Sequence, residues 1–142
     1  MTIQSTHTLT LFRAAATTFL AGSLTGLLVA AAMQGDVPAD AGAMLASHLN
    51  ALMGSAWLAG LAASWSHVRL GDAAATWLVR LAVGATWANW GLTALKAFLH
   101  VRGVGATGEA ANDLVFGALA VTVVLPTLAA GALWVRGLSA RA

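Results

Sequence analysis

The sequence predicts an all-α fold, an integral membrane bundle of four antiparallel helices, and three observations carry that prediction. Of 142 residues, 59% are hydrophobic and 8% charged, where a soluble domain has about a quarter charged. Mean hydropathy is +0.80. Four apolar runs, each long enough to cross a bilayer, alternate with short polar breaks. The same composition excludes chemistry. Cysteine and tyrosine are absent, so disulfides, thiolate zinc sites, iron–sulfur clusters and phenolic acid–base groups are out of reach. Seven basic side chains against five acidic ones give +2. The high pI thus reflects scarce acids rather than a phosphate-tracking surface, and no nucleic-acid partner is expected.

The first run covers 9–33, with Arg13 its only charge. At 1.5 Å per residue it exceeds the roughly 30 Å hydrocarbon core. Ala30, Ala31 and Ala32 resemble a signal-peptidase site, but the apolar stretch is too long for a signal h-region and reads as a retained helix. Ala14, Thr18, Gly22, Gly26 and Ala30 recur every fourth residue, a ridge of small residues for close helix contact. Gly35, Asp36, Pro38 and Asp40 break the run. The second helix is expected over 44–66, then a polar break at His67, Arg69, Gly71 and Asp72. The third is expected over 74–99, closed by Arg102, Gly103 and Gly105, and the fourth over 112–135. Pro126 falls inside the fourth, which membrane helices tolerate where neighbours satisfy the freed carbonyl. Short loops imply one compact transmembrane domain over 1–142. Arg13, Arg69, Arg80, Arg136 and Arg141 share one side, opposite Asp36, Asp40, Arg102, Glu109 and Asp113. The positive-inside rule then sets both termini in the cytoplasm, and a bacterial inner membrane is the expected location.

Ionisable groups within a bilayer are costly, so they are functional candidates. His48, Asn89, Lys96 and Asp113 are the four that matter most. His48 reads equally as an interfacial hydrogen-bonding residue and as a ligand. One neutral imidazole suits one axial position of a haem, whereas zinc needs three or four protein donors. His7 in the polar N-terminal tail, His67 and His100 read as surface residues. Thr86, Asn89, Thr93, Lys96 and His100 step by three and four residues, one polar stripe along the third helix. That stripe is either an interhelical hydrogen-bond seam or the wall of a ligand site. Trp57, Trp87 and Trp90 are candidate aromatic walls. Trp65, Trp77 and Trp134, at the span ends, read as interface or core.

The segment Ala46-Ser47-His48-Leu49, with Asn50 and Gly54 after it, is followed one helix later by Thr86-Trp87-Ala88-Asn89-Trp90. This pair resembles the hydroxylaminobenzene mutase family of small four-helix membrane isomerases, with styrene oxide isomerase a more distant relative. The resemblance runs from about 40 to 134, and the first helix shares only hydropathy. It implies a homotrimer with haem b between protomers, His48 as the axial iron ligand, and Asn89 as a polar residue of the substrate pocket. The family pattern has an asparagine six residues after the histidine, where this chain has Gly54. Asn50, one turn earlier and about 40° away around the helix, is the candidate to supply that amide.

The expected chemistry is rearrangement of an arylhydroxylamine to an ortho-aminophenol, a Bamberger-type isomerisation with ferric haem as Lewis acid. Asn89, Asn50 and Thr93 orient the N–OH group in this reading, while Trp87 and Trp90 flank an electron-poor ring. Lys96 and Arg102 select a para carboxylate, which makes 4-hydroxylaminobenzoate the expected substrate, and Asp113 lies on the same side. Three alternatives stay open: isomerisation of an epoxide, a b-type cytochrome with His100 as second ligand, and a small pore along the polar stripe.

Overall fold

The computed structural model describes residues 3–140, and among these it contains helices and no strand. Four long helices run in order: α1 Ile3–Gln34, α2 Ala41–Ala63, α3 Asp72–Leu99, and α4 over Ala110–Ser139. A 3₁₀ turn, Trp65–His67, follows α2 and accounts for the residues expected at its end. Arg141 lies outside the described residues.

The helix ends have local causes. The Asp40 carboxylate accepts from the Ala43 amide at 2.6 Å and caps α2. His100 stops α3 by entering the left-handed region at φ 52°, where its N–H returns to the Lys96 carbonyl. α1 begins at Ile3, so His7 is helical rather than part of a polar tail. Its ring is half-buried edge-on to Trp65 at 5.4 Å, and its Nε2 has no partner.

The antiparallel order is tied at both ends of the bundle. The Asp40 amide donates to the Ala97 carbonyl at 2.9 Å, joining the α1–α2 turn to the end of α3. The Arg69 amide donates to the Gly137 carbonyl at 2.9 Å, joining the α2–α3 turn to the end of α4. α1 and α4 are each long and apolar enough to cross a membrane. α2 and α3 have 23 and 28 residues, about 34 and 42 Å of helix. Their apolar runs are interrupted by the polar residues singled out above.

α1 packs most extensively on α2. Ala14, Thr18 and Gly22 are buried there, and a Cβ on Gly22 would lie 2.9 Å from the Ala51 Cβ. Ala30, expected in the same ridge, is exposed, and the seam passes instead through Thr25 and Val29. Steps of four residues advance about 40° beyond a full turn. From Ala14 to Ala30 that row has wound about 160° around the helix and off the contact.

The core divides in two. Leu11, Leu58, Leu61, Trp65 and Leu78 form the larger apolar cluster towards one end, and Val29, Met44 and Ala97 a small one towards the other. Between them the buried layer mixes polar side chains, among them Thr18, Ser47, Ser55, Thr86 and Thr93, with small residues such as Ala51 and Ala85. Lipid tails are as apolar as leucine, so close packing and interhelical hydrogen bonds hold this middle layer together.

α4 is not uniform. Residues Ala120–Val124 form a π turn between α-helical halves. The sequence shows only the cause, Pro126. Its ring lacks an N–H and crowds the carbonyl one turn earlier, which a wider turn relieves. α4 rests mainly on α3 and makes little backbone contact with α2. The two meet near one end through Trp57 and Trp134, edge to face at 4.9 Å, and through the Trp134 indole N–H donating to Ser64 Oγ at 3.0 Å. Away from that closure they leave a lateral crevice floored by α3.

Candidate active site

The crevice holds a cavity of about 270 Å³, near the small end of ligand-pocket sizes. Asn50, Met53, Gly54 and Trp57 of α2 form one wall. Ala85, Thr86 and Asn89 of α3 form the floor, and Val123 and Thr127 of α4 the far wall. None of these side chains is charged. The helical spacing explains the set, since residues three and four apart on α2 and on α3 share a face.

At one end of the cavity lies a polar cluster across the α2–α3 seam. Asn50 Nδ2 donates to Asn89 Oδ1 at 3.2 Å and to Thr93 Oγ1 at 3.1 Å, and Thr93 Oγ1 lies 3.5 Å from Asn89 Oδ1. Among the described residues this leaves Asn89 Nδ2 and Asn50 Oδ1 unengaged. One donor and one acceptor thus remain for a ligand. The three side chains expected to orient the substrate are brought together.

Gly54 stands in the α2 wall, against the floor, for a steric reason. A Cβ there would sit 2.5 Å from Thr86 Cγ2, and Thr86 is pinned because its hydroxyl donates to the Ala82 carbonyl at 2.8 Å. The asparagine that the family pattern places here has no room while Thr86 stays. Asn50 presents its amide to the same cavity from one turn away.

His48 points elsewhere. It is half-buried against α1, where Nδ1 lies 2.7 Å from the Gly22 carbonyl oxygen, and Gly26 leaves space for the ring, 3.2 Å from where a Cβ would stand. A carbonyl only accepts, so Nδ1 carries the proton and Nε2 keeps its lone pair. This is the tautomer and support that an Nε2 metal ligand needs. Among the described residues no three His, Asp or Glu side chains converge, which leaves His48 as a single donor. A single imidazole with Nε2 free is the donor that one axial position of a haem requires, whereas zinc requires three or four.

Other candidates are placed apart. Trp87 and Trp90 pair edge to face at 5.4 Å, and the Trp90 indole N–H donates to Thr25 Oγ1 on α1 at 2.9 Å. Neither lines the cavity. Trp57 supplies its aromatic wall instead, being two turns beyond Asn50 on the same face of α2. Lys96 and Arg102 line a second cavity of about 500 Å³ with His100 and Asp40, and Lys96 Nζ reaches the Arg102 carbonyl at 3.4 Å. The Asn50–Thr93 hydrogen bond lies between the two cavities along the seam. Asp113 faces neither. Its carboxylate accepts from the Thr107 and Gly108 amides at 2.7 and 3.0 Å, bracing the loop before α4. An acid at the start of a helix carries no sign in sequence of whether loop amides already occupy it.

Sequence reading missed Asn112 and Thr127. Asn112 is buried, accepting from the Gly103 amide at 2.8 Å and donating to the Gly105 carbonyl at 2.7 Å. The glycine-rich stretch before it was the available signal. Thr127 reaches the cavity from a helix that carried no polar stripe.

A family model described as styrene oxide isomerase matches residues 7–138. The match is to that family at large and does not single out the hydroxylaminobenzene mutases. No curated protein and no solved structure gives a significant match.

Proposed function

This chain belongs to the styrene oxide isomerase family, and from that premise we propose that it is a membrane isomerase rearranging an arylhydroxylamine to an ortho-aminophenol. The observation that carries the reading is the uncharged 270 Å³ cavity with an unengaged amide donor and acceptor at one end. It suits a single aromatic ring bearing one small polar group that both donates and accepts. Trp57 and Met53 hold the ring, and Asn50 and Asn89 bind the N–OH group. The surrounding apolar helices keep bulk water from competing for the reactive carbon.

His48 would hold a haem b through Nε2, with the Gly22 carbonyl fixing the ring. When bound, ferric haem supplies a Lewis-acid iron without net electron transfer. The open flank between α2 and α4 supports assembly with further copies, and a homotrimer with haem between protomers is part of the proposal. So is placement in a bacterial inner membrane with both termini cytoplasmic.

Within the arylhydroxylamines we favour 4-hydroxylaminobenzoate, its carboxylate paired with Lys96 and Arg102. These cations lie beyond the Asn50–Thr93 bridge, on the other side of the amides from Trp57, so this substrate would lie reversed, its carboxylate passing the amides as that bond exchanges and its N–OH group turned towards Thr86. The bridge is worth only about 0.5–1.5 kcal/mol.

A second reading, isomerisation of an aryl epoxide to an aldehyde, is favoured by the family match and by the cavity's lack of charge. Purified protein supplied with haem, assayed on phenylhydroxylamine, 4-hydroxylaminobenzoate and styrene oxide, separates the two. Turnover of the hydroxylamines alone supports the mutase. Turnover of the epoxide alone replaces it with the second reading.

A further inference from the structure

We propose that Thr127 is a substrate-binding residue, its hydroxyl held free of its own helix to meet the polar group of the ligand from the wall opposite Asn50 and Asn89. The inference rests on the functional reading above and adds a contact from α4. Threonines inside membrane helices ordinarily return their hydroxyl to the carbonyl one turn back. Here Thr10, Thr17, Thr18, Thr25, Thr86 and Thr122 all do so, at 2.7 to 2.9 Å. Thr93 instead receives the Asn50 amide. Thr127 has no such bond among the described residues, and the other exception, Thr76, lies only one turn into α3.

The cause is local. The carbonyl one turn before Thr127 belongs to Val123, inside the π turn, whose i to i+5 bond runs from the Leu125 amide to the Ala120 carbonyl. Pro126, immediately before Thr127, keeps that wide turn in place. Val123 and Thr127 are the two α4 residues that line the cavity. Thr127 is exposed, and on a membrane-spanning helix a hydroxyl left without a partner is costly. At this position the cost is offset by a ligand that both donates and accepts. The π turn thus makes a third polar contact from a helix that is otherwise apolar.

The test compares wild type with Thr127→Val, which keeps the shape, and Thr127→Ser, which keeps the hydroxyl. Binding of phenylhydroxylamine is read by quenching of tryptophan fluorescence, and turnover is read separately as kcat and KM. Thr127→Val should weaken Kd and lower kcat/KM about tenfold, the size of one neutral hydrogen bond. Thr127→Ser should stay within about twofold of wild type. Val matching wild type in both, with an unchanged melting temperature, overturns the assignment and leaves Thr127 an ordinary helix residue. Because Kd is read without turnover, a Thr127-dependent Kd in a protein that turns over no hydroxylamine keeps the contact. That result sinks the mutase reading alone.

Discussion

His48 Nδ1 lies 2.7 Å from the carbonyl oxygen of Gly22 on the neighbouring helix. The contact fixes which imidazole nitrogen is free, and it turns the ring away from the Asn50–Asn89 cluster, which sits on a different face of α2. Two residues apart on a helix are about 200° apart around it, so within one chain the His48 ring and the Asn50 amide face opposite sides of one helix.

Protein purified from haem-supplied cells should show a Soret band near one haem per chain, lost in His48→Ala. Gly26→Ala should lower the haem content and broaden the band. Its new Cβ would come within 3.2 Å of the His48 ring and push it off the Gly22 carbonyl. A colourless wild-type protein would end the haem proposal.

Asn50 and Asn89 should act as one unit. Asn50→Ala and Asn89→Ala are each expected to cut kcat/KM by about tenfold or more, since each also strips its partner of a hydrogen bond. The double variant should lose much less than the product of the two, with a coupling of about 0.5–3 kcal/mol. Independent, multiplying losses would show that the amides serve different groups.

Gly54→Ala should lower the melting temperature, with a cost of about 1–3 kcal/mol from overpacking against Thr86. Adding Thr86→Ser removes the Cγ2 methyl that a Cβ at this position meets at 2.5 Å, so the pair should recover most of the loss. If the second change deepens the loss, this is not the close approach that requires glycine.

Lys96→Met should raise KM for 4-hydroxylaminobenzoate by about tenfold while barely changing that for phenylhydroxylamine. Loss of one charge-assisted contact is worth about 1.5–3 kcal/mol. Equal effects on both substrates would remove the carboxylate anchor and leave the neutral arene as the better substrate.

Asn112→Ala should destabilise the loop before α4 without touching the cavity. The change strands the Gly103 amide and the Gly105 carbonyl, both now bonded to the Asn112 side chain. Amide exchange at Gly103 should accelerate while kcat stays close to wild type; a falling kcat at intact stability would mean that this loop governs the site.

Much of this was legible in the residues alone. Apolar run length and punctuating Gly, Asp and Pro dictate four helices, because a bilayer admits no unpaired backbone and favours the helix over every other local choice. The polar step Asn89, Thr93, Lys96 marks one face of α3 for the same periodic reason. Facing partners are a different matter. A stripe on one helix does not say which neighbour it meets, so Asp113 and the Trp87–Trp90 pair were expected at the site and lie elsewhere, while Thr127 was missed. The sequence by itself determined the helices, their antiparallel order and the polar character of the middle layer. Only the tertiary structure decided that α2 and α4 splay into a crevice, that His48 and Asn50 face opposite ways, and that a π turn brings Thr127 to the cavity. Those outcomes depend on rotations of tens of degrees about helix axes, set by side-chain packing between segments far apart in the chain.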